Sequence, residues 1–279
     1  MPEAPVWVTL DGQRAALKWH RARRRRADAA FTRTRLREGM AAGASVEIDL
    51  NPMADGGFAV LHDETLDRET TGSGPVAGID AAGLSRLLRR ANDGAATVEP
   101  VDTLAELLSG LAAGPIGAHA LLQLDLKCAE ADLSPAHLAR FAADAAPVAD
   151  HLILSGGDAA AVRRLAGAAG IALGYDPCHE GDHLTLARIG RFDAFVAAGL
   201  AAMPEARMIY LDLRLIAAAD AAGVNLVAPF RAAGKSVDAY TVTTSEPAQL
   251  AAARRAIALG ANQVTTDDPE GLQAALASP

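Results

Sequence analysis

Short apolar stretches with alternating polar positions take turns along this chain with longer stretches whose apolar residues recur at helical spacing. Residues 6–10 and 15–19 read as short strands around the Asp11-Gly12 turn, and 33–42 reads as a helix that Gly43 ends. In 45–50 the sequence SVEIDL puts Val46, Ile48 and Leu50 on one face and Glu47 and Asp49 on the other, the period of a strand. A turn at Asp55-Gly56-Gly57 leads into a second short strand at 58–61 and then His62. Helices are predicted at 81–90 and 103–111, and strands at 121–126, 151–154, 171–175, 208–211, 237–242 and 263–265. Between the later strands lie helical segments 158–169, 215–222 and 247–259, each followed by a glycine placed to cap it: Gly170, Gly223 and Gly260.

Strands alternating with helices of this length favour a parallel sheet with helical crossovers. If 58–61 is a hairpin arm outside the sheet, eight strands can be counted, beginning near 16, 45, 121, 151, 171, 208, 237 and 263. The expected fold is an α/β (β/α)₈ TIM barrel, with 1–279 forming a single domain and 64–120 an insertion after the second barrel strand, over the active face. A doubly wound sheet is weaker, because no glycine-rich phosphate loop follows the first strand. The 279 residues would suggest two domains at roughly 150 residues each, but barrels of this size are commonly undivided.

Composition narrows the function. Apolar residues make up 51% and aromatics 4%, so the chain can bury a large core built mainly of Ala, Leu, Val and Ile. A net charge of -8 argues against general affinity for nucleic acid or anionic membrane, although one phosphate could still meet a basic pocket. Cys128 and Cys178 lack the spacing of a metal or redox pair, and no signal peptide or membrane span is read. The expectation is a soluble cytoplasmic protein.

The polar residues of interest fall where strands end, the face on which barrels carry their sites. His20 and Arg21 follow the first strand; Glu47 and Asp49 share a face of the second; His62 and Asp63 follow the hairpin arm; Asp125 and Lys127 end the third. Three carboxylates on neighbouring strands repel unless a cation lies between them, and an all-oxygen set suits Mg²⁺ or Ca²⁺. The bland alternative pairs Glu47 and Asp49 with Arg21 and Lys127 as buried salt bridges. Both histidines can move protons near neutral pH, and Arg21 offers a donor fork matched to phosphate.

These residues resemble the glycerophosphodiester phosphodiesterase family. WHRA matches its His-Arg-Gly, with Ala22 in place of glycine. VEIDL matches its Glu-x-Asp motif, and ADGGFAVLHD its turn and His-Asp strand end. LDRETTGSGPV, YTVT and GANQVTTDDPEGL resemble later family stretches, while LQLDLK places Asp125 where the family has glutamate, as in the sphingomyelinase D branch. The family's Pro-Glu-Asn-Thr is replaced by ADAAF, with Ala29 at the glutamate position, after four arginines at 23–26. The resemblance implies a metal on Glu47, Asp49 and Asp125, catalysis by His20, His62 and Arg21, and substrate contacts from Arg21, Lys127 and Tyr240. Tyr175, after the fifth strand, is expected to join them.

The implied activity is metal-dependent hydrolysis of a small-molecule glycerophosphodiester to an alcohol and glycerol phosphate. Phospholipase D-type cleavage of a lysophospholipid or sphingolipid is the second reading, which needs an apolar patch such as 84–88. The third is a non-catalytic barrel binding a phosphorylated ligand or protein through 23–26, a run equally readable as a solvated turn. Asp176 and His179 could line the pocket, with Asp182 and His183 close by; Asp212 could face it but reads more readily as a salt bridge to a basic neighbour, and Asp267 and Asp268 could line it or, the blander reading, cap the final helix. Cys178 has no evident base and reads as inert.

Overall fold

The structure, a computed structural model, describes residues 4–277. In chain order the elements are β1 (Trp7–Leu10), β2 (Gln13–Trp19), α1 (Arg33–Ala42), β3 (Ser45–Pro52), β4 (Phe58–Ala59), α2 (Ala81–Leu84), β5 (Leu88–Arg90), β6 (Ala96–Pro100), α3 (Leu104–Ala112), β7 (Leu121–Leu126) and α4 (Pro135–Ala145). They continue as β8 (Leu152–Gly156), α5 (Ala159–Ala169), β9 (Ala172–Tyr175), α6 (Asp182–Ile189), α7 (Phe192–Ala202), β10 (Met208–Asp212), α8 (Leu213–Ala221), α9 (Val227–Ala232), β11 (Ser236–Val242), α10 (Pro247–Ala258), β12 (Gln263–Thr266) and α11 (Pro269–Ala277).

Eight strands run parallel in the order β2-β3-β7-β8-β9-β10-β11-β12, and β12 pairs with β2 to close the ring. This is the (β/α)₈ barrel, with β1 and β4 added antiparallel to β2 and β3. Both faces of each barrel strand are covered, so β3 is buried from end to end. Val46, Ile48 and Leu50 pack outward into the main core, between barrel and helices, together with Trp19, Leu36, Leu122, Leu124 and Phe141. The inward face carries the polar side chains of the alternation. Gly170, Gly223 and Gly260 all have positive φ at the ends of their helices, the left-handed conformation that closes a helix without a Cβ clash.

The stretch between β3 and β7 differs from expectation. The helix predicted over 81–90 stops at Leu84, and the chain then turns into the β5–β6 hairpin. Good helix formers are overridden here by tertiary contacts: Leu84 and Leu87 pack into a separate apolar cluster with Met53, Leu61, Leu66, Val76 and Val101. Thr70 bridges Arg89, and Thr71 N–H bonds the Leu88 carbonyl. Leu84 is therefore covered, and of 84–88 only Leu88 is an exposed large apolar residue. Helices α4, α6, α7 and α9 were also not foreseen.

Candidate active site

Register builds the site. Asp49 lies opposite Asp125 in the β3–β7 ladder, and Asp125 lies opposite Ser155 in β7–β8. In parallel strands such partners face the same way, so the barrel mouth receives Glu47, Asp49 and Asp125 together. One oxygen from each lies within 4.8 Å of the others. Asn51, the next inward residue of β3, donates from Nδ2 to the carbonyls of Leu61 (2.9 Å), His62 (3.3 Å) and Asp63 (3.1 Å). A single strand thus supplies two acidic groups and the clamp on the second histidine turn.

The three carboxylates are not alike. Glu47 is buried and accepts the Arg21 backbone N–H at 2.7 Å. Burial, then the charges of Asp49 and Asp125, push its carboxyl well above the usual range. Burial works the same way on Asp49, but Lys127 and then Arg21 outweigh it and hold that group at about 2. Lys127 Nζ sits 2.9 Å from Asp49 Oδ1 and is also bonded to Asp125, while Arg21 Nε is 3.4 Å from Asp49 Oδ2. The expected alternative of separate salt bridges is met only in part: Lys127 spans two carboxylates, and Glu47 takes a backbone donor rather than a cation. Asp49 Oδ2 is buried without a hydrogen-bond partner. An orphaned carboxylate oxygen, a carboxyl disfavoured as an anion and an all-oxygen donor set fit a hard divalent cation on Glu47, Asp49 and Asp125.

Each histidine is fixed by a carboxylate on Nδ1. His20 Nδ1 lies 2.6 Å from Asp267 Oδ1, and its Nε2 lies 3.9 Å from Glu47. Burial lowers the His20 pKa, against the opposing pull of Asp267. His62 Nδ1 lies 2.9 Å from Asp63 Oδ1, and Asp63 is gripped by Arg68, which holds it at about 2. The His62 and Asp63 backbone N–H groups both donate to Glu69 Oε2 at 2.8 Å. An Nδ1–H given to a carboxylate leaves Nε2 for proton transfer.

Below the mouth, the barrel is filled by one continuous hydrogen-bonded chain. Thr265 Oγ1 donates to Asp238 at 2.7 Å, and Asp238 pairs with the buried Lys18 at 2.7 Å. Lys18 also donates to Gln123; Gln123 Nε2 donates to Ser155 Oγ at 2.8 Å, and Ser155 Oγ to Asp125 Oδ1 at 2.8 Å. Interior residues of five strands, β12, β11, β2, β7 and β8, therefore hold the third carboxylate.

No family model matches the sequence, and no curated protein matches it. Solved structures do match. A glycerophosphodiester phosphodiesterase from Agrobacterium tumefaciens strain C58 superposes with a TM-score of 0.65 at 19% identity, over 93% of this chain and 99% of that one. An Oleispira antarctica phosphodiesterase in complex with the product sn-glycerol-3-phosphate gives 0.61 at 21%, over 94% and 96%. A glycerophosphodiester phosphodiesterase from Thermotoga maritima gives 0.61 at 19%, over 92% and 96%. The shared property is the barrel fold.

One cavity of about 210 Å³ gathers His20, Arg21, Glu47, Asp49, His62, Asp125, Lys127 and Tyr240, all singled out from sequence. Tyr175 is the exception. The pleat turns it into the main core, and the next residue, Asp176, faces the cavity in its place. Asp176 accepts from Tyr240 Oη at 2.7 Å, and burial raises it to about 7. His179, Asp182 and His183 lie outside the cavity; Asp212 forms the expected salt bridge, with Arg214, and accepts its N–H at 2.7 Å, while Asp268 accepts the Gly271 N–H in the first turn of the final helix. Burial pushes the Cys178 thiol up, away from reactivity. Residues 23–26 do not form one solvated turn: Arg24 is buried against Glu38 and Glu270, and Arg23 reaches Asp267 and Asn92. Lys18, Gln123, Tyr210 and Thr265 line the cavity floor and were missed. Their signal is spacing: Lys18 and Gln123 each lie two positions before a recognised site residue.

Proposed function

We propose that this protein is a metal-dependent phosphodiesterase that hydrolyses a glycerophosphodiester to an alcohol and glycerol phosphate. The observation that carries the reading is the convergence of three carboxylates and two carboxylate-anchored histidines on one cavity at the barrel mouth. The names of the matching structures, one of them holding sn-glycerol-3-phosphate, support it. We take the catalytic unit to be one barrel domain in which 64–120 is an insertion.

Glu47, Asp49 and Asp125 would hold Mg²⁺ or Ca²⁺, which supplies Lewis-acid neutralisation of phosphoryl charge. Arg21 and Lys127 share the non-bridging oxygens. His20, whose pKa burial lowers, accepts at Nε2 the proton of the attacking water as the water oxygen forms the new P–O bond. His62, at the more open rim, donates a proton from Nε2 to the departing alkoxide as the old P–O bond breaks. Tyr240, whose phenol burial keeps protonated, supports the substrate through Asp176.

The test is release of glycerol phosphate from glycerophosphocholine and glycerophosphoethanolamine with Mg²⁺ or Ca²⁺. Activity abolished by EDTA and restored by the ion supports the reading; no turnover with either ion overturns it in favour of a binding barrel. The lipid-cleaving alternative needs an apolar face at the phosphoryl site. The cavity lining contains no aliphatic side chain, and a mixed cavity that joins at Lys127 places Glu64 and Asp132 beside Met53 and Val76. Soluble diesters should therefore be cleaved in preference to lysophosphatidylcholine.

A further inference from the structure

A second cavity, of about 200 Å³, opens beside the acidic one and shares Arg21 with it. Arg21, Arg23, Arg68, Arg89 and Arg90 line it, with Glu69 as the one carboxylate. Glu69 is already engaged by the two N–H groups of the His62 turn. Among the described residues, eight buried side-chain nitrogen or oxygen atoms have no hydrogen-bond partner. Four of them are guanidinium nitrogens: Arg21 Nε, Arg23 Nε, Arg89 Nε and Arg89 Nη2. All three of these arginines border this one cavity.

Arg89 is the telling case. It enters from β5, is 2% exposed, and lies over the Phe31 ring at 5.5 Å. Its hydrogen bond runs from Nη1 to the Val60 carbonyl at 3.2 Å. The nearest acid, Asp102, is 3.8 Å from Nη2, too far to accept, and is itself bonded by Arg33. Burying the Arg89 guanidinium with most of its donors unmet is costly. Arg23 adds its Nε, the one unpartnered nitrogen of a group that otherwise bonds Asp267 and Asn92, while Arg21 Nε has Asp49 Oδ2 at 3.4 Å. A tetrahedral oxyanion satisfies donors of this geometry in pairs.

We propose that this cavity receives a second phosphoryl group, carried on the alcohol half of the diester, so that preferred substrates are glycerophosphodiesters of a phosphorylated alcohol. The proposal rests on the phosphodiesterase reading and extends it to the leaving group. Arg21, at the boundary, faces both phosphoryl groups, and Arg23 and Arg89 hold the outer one.

The experiment compares kcat/KM for glycerophosphoinositol and glycerophosphoinositol 4-phosphate, which differ by one phosphomonoester. Wild type should favour the phosphorylated diester by about tenfold or more. Arg89→Met and Arg23→Gln should each bring that ratio close to one; Arg23→Gln, nearer the rim, carries the test if Arg89→Met does not fold. Binding of inorganic phosphate to metal-free protein, measured by calorimetry, distinguishes a free anion from a substrate-borne one. Phosphate binding lost in Arg89→Met, without any preference between the diesters, overturns the proposal. Equal cleavage of both diesters by wild type, or cleavage of neither while glycerophosphocholine is cleaved, also overturns it and leaves the phosphodiesterase reading standing; failure to cleave any of them removes that reading as well.

Discussion

His20 and His62 face the same cavity, each with an aspartate on Nδ1, yet the two arrangements are built differently. His20 takes its partner, Asp267, from the far end of the chain, and its side chain is 21% exposed. His62 takes the adjacent residue, Asp63, which is locked by the exposed Arg68, and its side chain is 37% exposed. Ring closure makes the first possible: Thr266 pairs with Trp19 in the β12–β2 ladder, which brings 267 alongside 20. The second is local and depends on a clamp from Asn51 and Glu69. Under the proposed mechanism, a less exposed base at His20 and a more open acid at His62 would suit the two ends of a displacement, one where water must be controlled and one where product leaves.

The largest effect should come from the rings themselves. His20→Ala and His62→Ala should each lower kcat by about 10²–10⁴-fold at saturating metal, and a variant that retained full turnover would remove its residue from the chemistry. Next come the anchors. Asp267→Asn should cost about 10–100-fold in kcat, whereas Asp63→Asn, beside solvent, should cost roughly tenfold or less; equal losses would erase the distinction between the two arrangements. The pH profile separates them further. Asp267 raises a His20 pKa that burial lowers, so Asp267→Asn should move the acid limb of kcat/KM to lower pH, while Asp63→Asn leaves that limb where it was.

The smallest effect concerns stability. Asp176 titrates at about 7 in the folded protein because it is buried, well above an unfolded carboxyl. The native state then holds this proton more tightly, so its contribution is fully present below about pH 4 and is lost as pH rises through 7. In EDTA, Asp176→Asn should flatten that part of the curve, with a change in Tm at pH 8 of roughly 2–4 °C for about 1 kcal/mol.

What the sequence made legible was what alternation controls. Glu47 and Asp49 on one face of VEIDL, and Asp125 and Lys127 on LQLDLK, could be placed because a strand has a period of two and a barrel has one polar mouth. Tyr175 failed by one position for the same reason, since a strand-end register shifted by one exchanges core for cavity. The 81–90 error was of another kind. Asn92-Asp93-Gly94 is a turn signal between LRR and ATVEP, and Gly94 adopts the positive φ such a turn needs, but helix formers upstream masked it. Asp267 could be placed near the mouth because it follows the last strand, but its pairing with His20 had no local signal, since it depends on closure of the ring. The orphaned arginines were equally out of reach, since hydrogen-bond satisfaction belongs to three-dimensional packing.

Glu47 has two duties that a simple deletion cannot separate. Its carboxylate is a proposed metal ligand and also tethers the backbone at Arg21, where Arg21 and Ala22 both hold a left-handed conformation uncomfortable for residues with a side chain. Truncating Glu47 therefore loosens the corner that presents His20, and an alanine variant would overstate the residue's worth as a ligand. Glu47→Gln keeps an oxygen for that amide while discarding the charge. The gap between the two variants measures how far the acid serves as masonry rather than as electrostatics.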